Sequence, residues 1–193
     1  MRELGEDHPR TLLSRSNLAF AHKAAGHLGQ AVSLYERTLA DRVRVQGEGH
    51  PDTLTSASNF AMACLAVGDA ARAVPLLRQV VAGRARLFGL NDPRTLIARK
   101  NLAAAYRAAG DLARAIRLFE RTLTGWVQTL GEGDPDTHYS RNNLASALWD
   151  AGDLARAVSL YEQALAGLTQ ALGHDHPHTR FVRNNLTRAR RAL

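Results

Sequence analysis

The segment PRTLIARKNLAAAYRAAGDLARAIRLFERTLTGWVQTLGEGD, residues 93–134, carries the pattern that decides the fold. Its first residue belongs to a series of prolines that recur every 42 residues, namely Pro9, Pro51, Pro93, Pro135 and Pro177. Four further series keep the same step: Gly5, Gly47, Gly89, Gly131 and Gly173; Gly26, Gly68, Gly110 and Gly152; Asn17, Asn59, Asn101, Asn143 and Asn185; and Thr11, Thr53, Thr95, Thr137 and Thr179. A fixed period of this length indicates a repeat protein. The chain therefore contains four full repeats and a fifth half repeat.

Each repeat is predicted to form two helices. The first begins at the proline, whose missing N–H needs no partner in the first turn of a helix. The residues before the prolines take the capping position, and they are His8, His50, Asp92, Asp134 and His176. Apolar residues then recur at helical spacing until a glycine such as Gly110 ends the helix. The residue after this glycine can cap the second helix, and in three repeats it is Asp69, Asp111 or Asp153.

These patterns predict an all-α fold, a right-handed α-solenoid of antiparallel helix pairs, because no segment alternates like a strand. We expect a single domain over residues 1–193, with repeats at 9–50, 51–92, 93–134 and 135–176 and a capping helix at 177–193. At the front, Leu4-Gly5 matches the end of a second-type helix whose earlier part is missing. The chain is therefore predicted to be a fragment of a longer protein, with Met1-Arg2 as an artificial start.

The composition limits the class of protein and of partner. The formal net charge is +7, and only Lys23 and Lys100 of the 25 basic residues are lysines. Such a balance raises nucleic acid as a partner, although a solvated, arginine-rich helix surface is the interpretation we favour. No apolar run approaches the length of a membrane span. The single cysteine, Cys64, cannot form an intrachain disulfide, which favours a cytoplasmic location.

The spacing within a repeat resembles the tetratricopeptide motif. Leu102-Ala103-x-x-Tyr106 is followed by Ala115 and, four residues later, Phe119. The long 42-residue period resembles the kinesin light chain repeat, and the strings T-L-x-x-x-x-N-L-A and A-G-D-L-x-R-A resemble its bacterial, actinobacterial-style relatives. The resemblance implies that an extended peptide binds in a concave groove. It also implies an upstream NTPase or effector domain, which such repeats regulate in bacterial relatives.

The first helix of each repeat has two different faces. Because a helix advances about 100° per residue, Leu13, Asn17 and Phe20 lie on one side, and Leu12 and Ala19 lie on the other. We expect the second set to pack and the first set to line the concave surface. The candidate groove residues are Asn17, Asn59, Asn101, Asn143, Asn185, Leu13, Phe20, Met62, Ile97, Lys100, Tyr139 and Phe181.

The asparagine series has two interpretations. A side-chain amide offers donors and an acceptor, so a row of amides can pair with the backbone of an extended peptide. Alternatively, each asparagine bonds to a neighbouring helix and only maintains the stack. Two tryptophans leave the same choice open, since Trp126 and Trp149 can mark a contact surface or pack against a neighbouring helix.

No catalytic, cofactor or metal site is predicted. His174, His176 and His178 alternate in a loop, but His176 fills the ordinary position before the proline and no cysteine is near. Cys64 occupies a packing position, and the glycine-rich loops lack the lysine of a phosphate-binding loop. We therefore predict a non-enzymatic protein–protein interaction module, the sensor or adaptor part of a larger regulatory protein. A nucleic-acid-binding solenoid is the alternative, and no membrane partner is expected.

The sequence also predicts ion pairs within repeats. Arg15, Arg99 and Arg141 share one position of the first helix, and that position points toward the packing side. The matching position of the second helix holds Glu36, Glu120 and Glu162, whereas the second repeat has Ala57 and Arg78 at these two positions. We therefore expect the pairs Arg15–Glu36, Arg99–Glu120 and Arg141–Glu162. If they are absent, the arginines are expected to bond to carbonyl groups at the end of a neighbouring helix.

Overall fold

The computed structural model describes residues 5–192, and these residues form nine α-helices and no strand. The first-type helices are α1 (Pro9–Ala24), α3 (Pro51–Ala66), α5 (Pro93–Ala108), α7 (Pro135–Asp150) and α9 (Pro177–Arg190). The second-type helices are α2 (Leu28–Gln46), α4 (Ala70–Phe88), α6 (Leu112–Leu130) and α8 (Leu154–Leu172). The predicted all-α array of helix pairs is confirmed. The predicted helix end at Leu4, the artificial start at Met1-Arg2 and the last residue, Leu193, lie outside the described residues.

The helices fall into two compact units. Unit 1 is Met1–Phe88 and unit 2 is Gly89–Leu193. In unit 1, α1 packs on α2, α2 on α3 and α3 on α4; in unit 2, each of α5 to α8 packs on the helix that follows it. The single domain expected over residues 1–193 stays a prediction.

The residue before each proline caps the first-type helix, as the sequence predicts. Asp92 accepts a hydrogen bond from the backbone N–H of Arg94 at 2.8 Å. A histidine can cap a helix in the same way, because Nδ1 of His8 accepts a hydrogen bond from the backbone N–H of Arg10 at 3.1 Å. These bonds satisfy donors that would otherwise lack a partner at the start of a helix. A glycine with positive φ, such as Gly110 at 79°, reverses the chain after the first-type helix.

Within a repeat, the two helices approach each other at a second-type helix glycine. A Cβ placed on Gly125 of α6 would lie 2.5 Å from Cδ2 of Leu96 on α5, and Leu96 is fully buried. Gly83 of α4 has the same relation to Leu54 of α3, at 2.7 Å. Since protein cores are close-packed, neither leucine has room to retreat without moving its neighbours. In these two repeats the glycine therefore sets how near the two helices can lie, whereas the first repeat has Asp41 at the same position.

We expect Gly125→Ala to lower the free energy of unfolding by about 1–3 kcal/mol, because the added methyl group overpacks the contact with Leu96. Gly29→Ala is the matched control. Gly29 also lies in a helix, α2, but its Cβ would meet nothing within 4 Å. That change should raise stability by about 0.4–1 kcal/mol through the unfolded state. Urea unfolding followed by circular dichroism measures both, and equal effects would rule out the close contact.

The predicted ion pairs within repeats are wrong. Each glutamate instead pairs with an arginine of a later helix on the exposed side: Glu36 with Arg72 at 2.6 Å, Glu120 with Arg156 at 3.0 Å and Glu162 with Arg190 at 2.7 Å. The angular count places a residue on a face of its own helix, but it does not show which neighbouring helix that face meets. Here the glutamate position faces the following repeat.

In unit 2 the arginines at this position bond to carbonyl groups, as the alternative predicts, but the acceptors lie in loops and not at the end of a neighbouring helix. Arg99, Arg141 and Arg183 donate to the carbonyl oxygens of Leu90, Glu132 and His174, at 3.2, 3.2 and 3.0 Å. Each acceptor lies in the loop that precedes the arginine's own helix, so these bonds tie the loop to the helix. In unit 1, Arg15 pairs with Asp41 at 2.5 Å. Burial lowers the pKa of the Arg99 guanidinium below its ordinary value.

We expect Glu120→Ala to lower the free energy of unfolding by less than about 1 kcal/mol, because its ion pair with Arg156 is solvent-accessible. Arg99→Ala should cost about 1–3 kcal/mol, since the change removes a buried side chain and its hydrogen bond. Thermal and urea unfolding of the two variants would show the difference. A larger loss for Glu120→Ala would mean that the surface pairs hold the array together.

Candidate functional site

The five asparagines of the amide series keep solvent contact. Asn17 is exposed, and Asn59, Asn101, Asn143 and Asn185 are half-buried. Nδ2 of Asn185 donates to Oδ1 of Asn142 at 3.1 Å. Among residues 5–192, the other four side-chain amides make no hydrogen bond, so their donors and acceptors are available to a ligand.

Unit 1 contains a pocket of about 240 Å³, here called pocket A, beside the amides of Asn17 and Asn59. Its lining residues are Leu13, Ser16, Asn17, Phe20, Tyr35, Arg42, Asp52, Thr55, Ser56 and Asn59. Side-chain atoms of Arg42 and Asp52 form an ion pair at 2.9 Å, in which the Arg42 side chain is only 8% exposed. Pocket A therefore combines apolar walls from α1 with an internally neutralised charge.

Unit 2 contains a pocket of about 300 Å³, here called pocket B. It is lined by Ile97, Lys100, Trp126, Asp136, Tyr139, Ser140, Asn142, Asn143, His178, Phe181 and Val182. Seven of these residues stand 84 residues, two repeats, after a lining residue of pocket A: Ile97, Lys100, Trp126, Asp136, Tyr139, Ser140 and Asn143. The two pockets are thus the same feature of the repeat, built with different side chains.

A third pocket, pocket C, holds the last member of the amide series. It measures about 230 Å³ and is lined by Arg107, Ser146, Trp149, Asp150, Tyr161, Phe181, Asn185 and Arg188. The hydroxyl groups of Ser146 and Tyr161 are 2.9 Å apart and share a hydrogen bond. Pocket C therefore places a tryptophan and an amide beside two basic side chains.

The structure brings ten of the twelve predicted groove residues to these pockets. Pocket A takes Leu13, Asn17, Phe20 and Asn59; pocket B takes Ile97, Lys100, Tyr139, Asn143 and Phe181; pocket C takes Asn185 and again Phe181. The remaining two, Met62 and Asn101, are half-buried and lie outside the three pockets. Their role in a groove stays a prediction, as does the role of the whole set.

Several residues that line the pockets were not predicted from the sequence. Trp126 is buried, as the packing interpretation expects, and it also lines pocket B; its role in a contact surface stays a prediction. Asp136 and Asp52 were missed because a first-turn aspartate looks like a helix-stabilising residue. The sequence does contain a signal for this pocket. The position of Trp126 holds Arg42 in the first repeat, so a comparison of equivalent positions shows that an aromatic side chain replaces a charged one.

The electrostatic surroundings of pocket B are acidic on one side. Burial, followed by the charges of Asp136 and Asp134, raises the pKa of the Tyr139 hydroxyl above its ordinary value. The His178 ring lies 4.6 Å from the Tyr139 ring, centroid to centroid, in a tilted contact. Lys100 lines the same pocket and brings a positive charge. Pocket B thus offers opposite charges and aromatic walls within one cavity.

Residues 5–192 contain no group of three or more His, Cys, Asp or Glu side chains placed to hold a metal ion. None of the helices formed by these residues is both long and apolar enough to cross a membrane. Cys64 is buried, and burial raises the pKa of its thiol, which disfavours the reactive thiolate.

The repeats of this chain match a known protein family. Models of the tetratricopeptide repeat match residues 12–37, residues 30–86, and residues 95–136 together with 139–178. The chain belongs to the tetratricopeptide repeat family. Repeats of this family generally mediate protein–protein interactions, and the repeat scaffold itself is generally non-enzymatic. Among curated proteins, none matches the chain.

Solved structures place this tetratricopeptide array beside kinesin light chain-like proteins. A Podosopora anserina putative kinesin light chain with nearly identical TPR-like repeats is 33% identical, with a TM-score of 0.82, over 96% of this chain and 88% of that one. A variant form of that protein is 31% identical, with a TM-score of 0.83, over 98% and 89%. BtubC (BKLC) from P. vanneervenii is 26% identical, with a TM-score of 0.77, over 92% and 69%. The resemblance to kinesin light chain repeats is confirmed, and the bacterial origin stays a prediction.

We expect equivalent aspartates of pockets A and B to differ in their contribution to stability. Both lie in the first turn of a tetratricopeptide helix, so the helix dipole acts on both alike. Asp52→Asn also breaks the pair with the buried Arg42, whereas Asp136 has no such partner among residues 5–192. Asp52→Asn should therefore cost about 1–2 kcal/mol more than Asp136→Asn in urea unfolding. Equal losses would show that the pair contributes nothing beyond the dipole.

Proposed function

We propose that each unit of this tetratricopeptide array binds an extended segment of a partner protein along the face that carries its own members of the amide series. The observation that carries the proposal is the state of the amides of Asn59, Asn101 and Asn143. They are half-buried, keep solvent contact and make no hydrogen bond among residues 5–192. A side-chain amide that is fixed on a helix but unpaired is suited to bonding the backbone of an extended ligand.

The pockets beside these amides support the proposal. Pockets A and B place exposed apolar side chains next to an asparagine, Leu13 and Phe20 in one and Ile97 and Phe181 in the other. Concave sites with apolar walls and a few polar groups are the usual form of binding sites. The amides would fix the ligand backbone regardless of its sequence, while the pockets would select its side chains.

We propose further that the array serves as the sensor or adaptor part of a larger regulatory protein. The support is the resemblance of its repeats to those that follow an NTPase or effector domain. Sequencing the full-length reading frame tests the regulatory role. We expect it to encode an NTPase, protease or other effector domain ahead of Glu3. A reading frame without any such domain would leave the array as a separate adaptor.

The arginine-rich surface does not favour nucleic acid as the ligand. Many arginines already have a carboxylate partner in the described chain: Arg15, Arg42, Arg44, Arg72, Arg94, Arg107, Arg114, Arg141, Arg156 and Arg190. A phosphate backbone would have to displace those carboxylates. We expect weak or undetectable binding of generic duplex DNA at physiological salt.

Peptides selected from a random display library provide the test of groove binding. We expect the double change Asn101→Ala and Asn143→Ala to weaken their binding at least about tenfold, because the ligand backbone loses hydrogen bonds. Helicity by circular dichroism should stay nearly unchanged, since neither amide bonds to another helix in the described structure. Fluorescence polarisation with the selected peptides gives the affinities.

Gln163→Ala is the control, because it removes an exposed amide from the second-type helix α8, where it bonds only to Ser159 of the same helix. It should leave peptide affinity unchanged. Loss of the fold in the asparagine variant would instead support a scaffolding role for the amides. Sub-micromolar DNA binding with a steep salt dependence would favour the nucleic-acid alternative.

A further inference from the structure

In pocket A, an arginine of the repeat pairs with the aspartate that lines the same pocket. The Arg42 side chain lines this pocket and pairs with Asp52 at 2.9 Å, while it remains 8% exposed. The first repeat therefore supplies its own pocket with an internal basic side chain. The carboxylate of Asp52 has its charge partner before any ligand arrives.

Pocket B lacks this internal partner. Trp126 occupies the position of Arg42, and Asp136 occupies the position of Asp52. Among the described residues, the Asp136 side chain forms no ion pair or hydrogen bond, and the residue is exposed at the start of α7. The substitution of Trp126 for an arginine thus leaves an unpaired carboxylate at the edge of an aromatic cavity.

The walls of pocket B suit a flat cation. Tyr139 is half-buried, Phe181 is 56% exposed, and both line the pocket together with Trp126. Cations bind favourably over aromatic faces, and the planar guanidinium also stacks on them. This chain makes such contacts elsewhere, with Arg72 over Phe60 at 5.0 Å and Arg114 over Tyr106 at 5.3 Å to the ring centroid.

We propose that pocket B receives an arginine side chain from the bound protein segment, with its guanidinium on Asp136 and against the aromatic walls. The inference rests on the proposed function and names the side chain that this pocket selects. The acidic influence of Asp134 and Asp136 on Tyr139 supports it. Lys100, on the α5 side of the pocket, limits the site to a single cation and disfavours a second basic residue beside the first.

The test uses N-acetyl-arginine amide as a probe and ligand-observed saturation-transfer NMR as the measurement. Matched probes are N-acetyl-citrulline amide, which keeps the shape without the charge, and N-acetyl-glutamate amide, which would seek Lys100. We expect the arginine probe to bind several-fold more tightly than the citrulline probe, because only a charged group pairs with Asp136. Binding equal to or weaker than that of the citrulline or glutamate probe would overturn the inference.

Two variants locate the probe. Asp136→Asn should weaken binding of the arginine probe at least about fivefold, whereas Asp52→Asn, the control in pocket A, should not. Trp126→Arg installs the arginine of the first repeat, which should pair with Asp136 and abolish binding of the probe. Should that variant fail to fold, Asp136→Asn still decides, since its side chain is exposed. Unchanged binding in Asp136→Asn would contradict the proposal.

Peptides from the display library separate this inference from the proposed function. If selected peptides depend on Asn101 and Asn143 and lose at least about tenfold affinity when one arginine is replaced by citrulline, both proposals stand. If they depend on the asparagines but tolerate citrulline, groove binding stands and the arginine pocket fails. If the arginine probe binds at Asp136 but no peptide depends on the asparagines, the backbone-binding role fails alone.

Discussion

The close approach of the two helices within a repeat is the constraint on which the other features depend. Gly125 admits the side chain of Leu96, and the neighbouring core positions Ala103 and Ala115 are fully buried alanines. Helices that pack through such small residues use one whole face of the first-type helix for contact. The opposite face is left without a helix of its own repeat, and there the amide series remains solvent-accessible. Packing within the repeat thus creates the surface that a ligand can use.

Much of this fold could be predicted, because local rules set the positions of the helix ends. A proline at Pro93 and a cap at Asp92 begin α5, and the glycine at Gly110 ends it within two residues of the structure. The pocket residues on the same helices could be predicted too, since helical spacing alone puts Ile97 and Lys100 of pocket B on one side. These features depend only on residues near in sequence.

The ion pairs could not be predicted, because they depend on which helices become neighbours. The angular count places Arg99 and Glu120 on sides of their helices that are expected to meet within one repeat. In the structure, Glu120 pairs with Arg156 of the next repeat, and Arg99 bonds to Leu90 in the loop before its own helix. A charge bonds to the partners that its surroundings offer: buried Arg99 donates to a carbonyl group, and buried Arg141 bonds to both the carbonyl group and the carboxylate of Glu132. The pairing of Asp52 with Arg42 escaped for the same reason.

Pockets A and B keep some residues of the repeat and change others. Equivalent positions of pockets A and B keep their asparagine and aspartate, while Ser16 becomes Lys100, Thr55 becomes Tyr139 and Arg42 becomes Trp126. The surface pairs of Glu36 and Glu120 lie on second-type helices, so they use charges that the pockets do not need. A change such as Arg42 to Trp126 alters the chemistry of a pocket and also removes an ion pair between two repeats, because Arg42 of α2 pairs with Asp52 of α3. The helix pair is thus repeated with the same spacing, while the side chains that line its pocket change from one repeat to another.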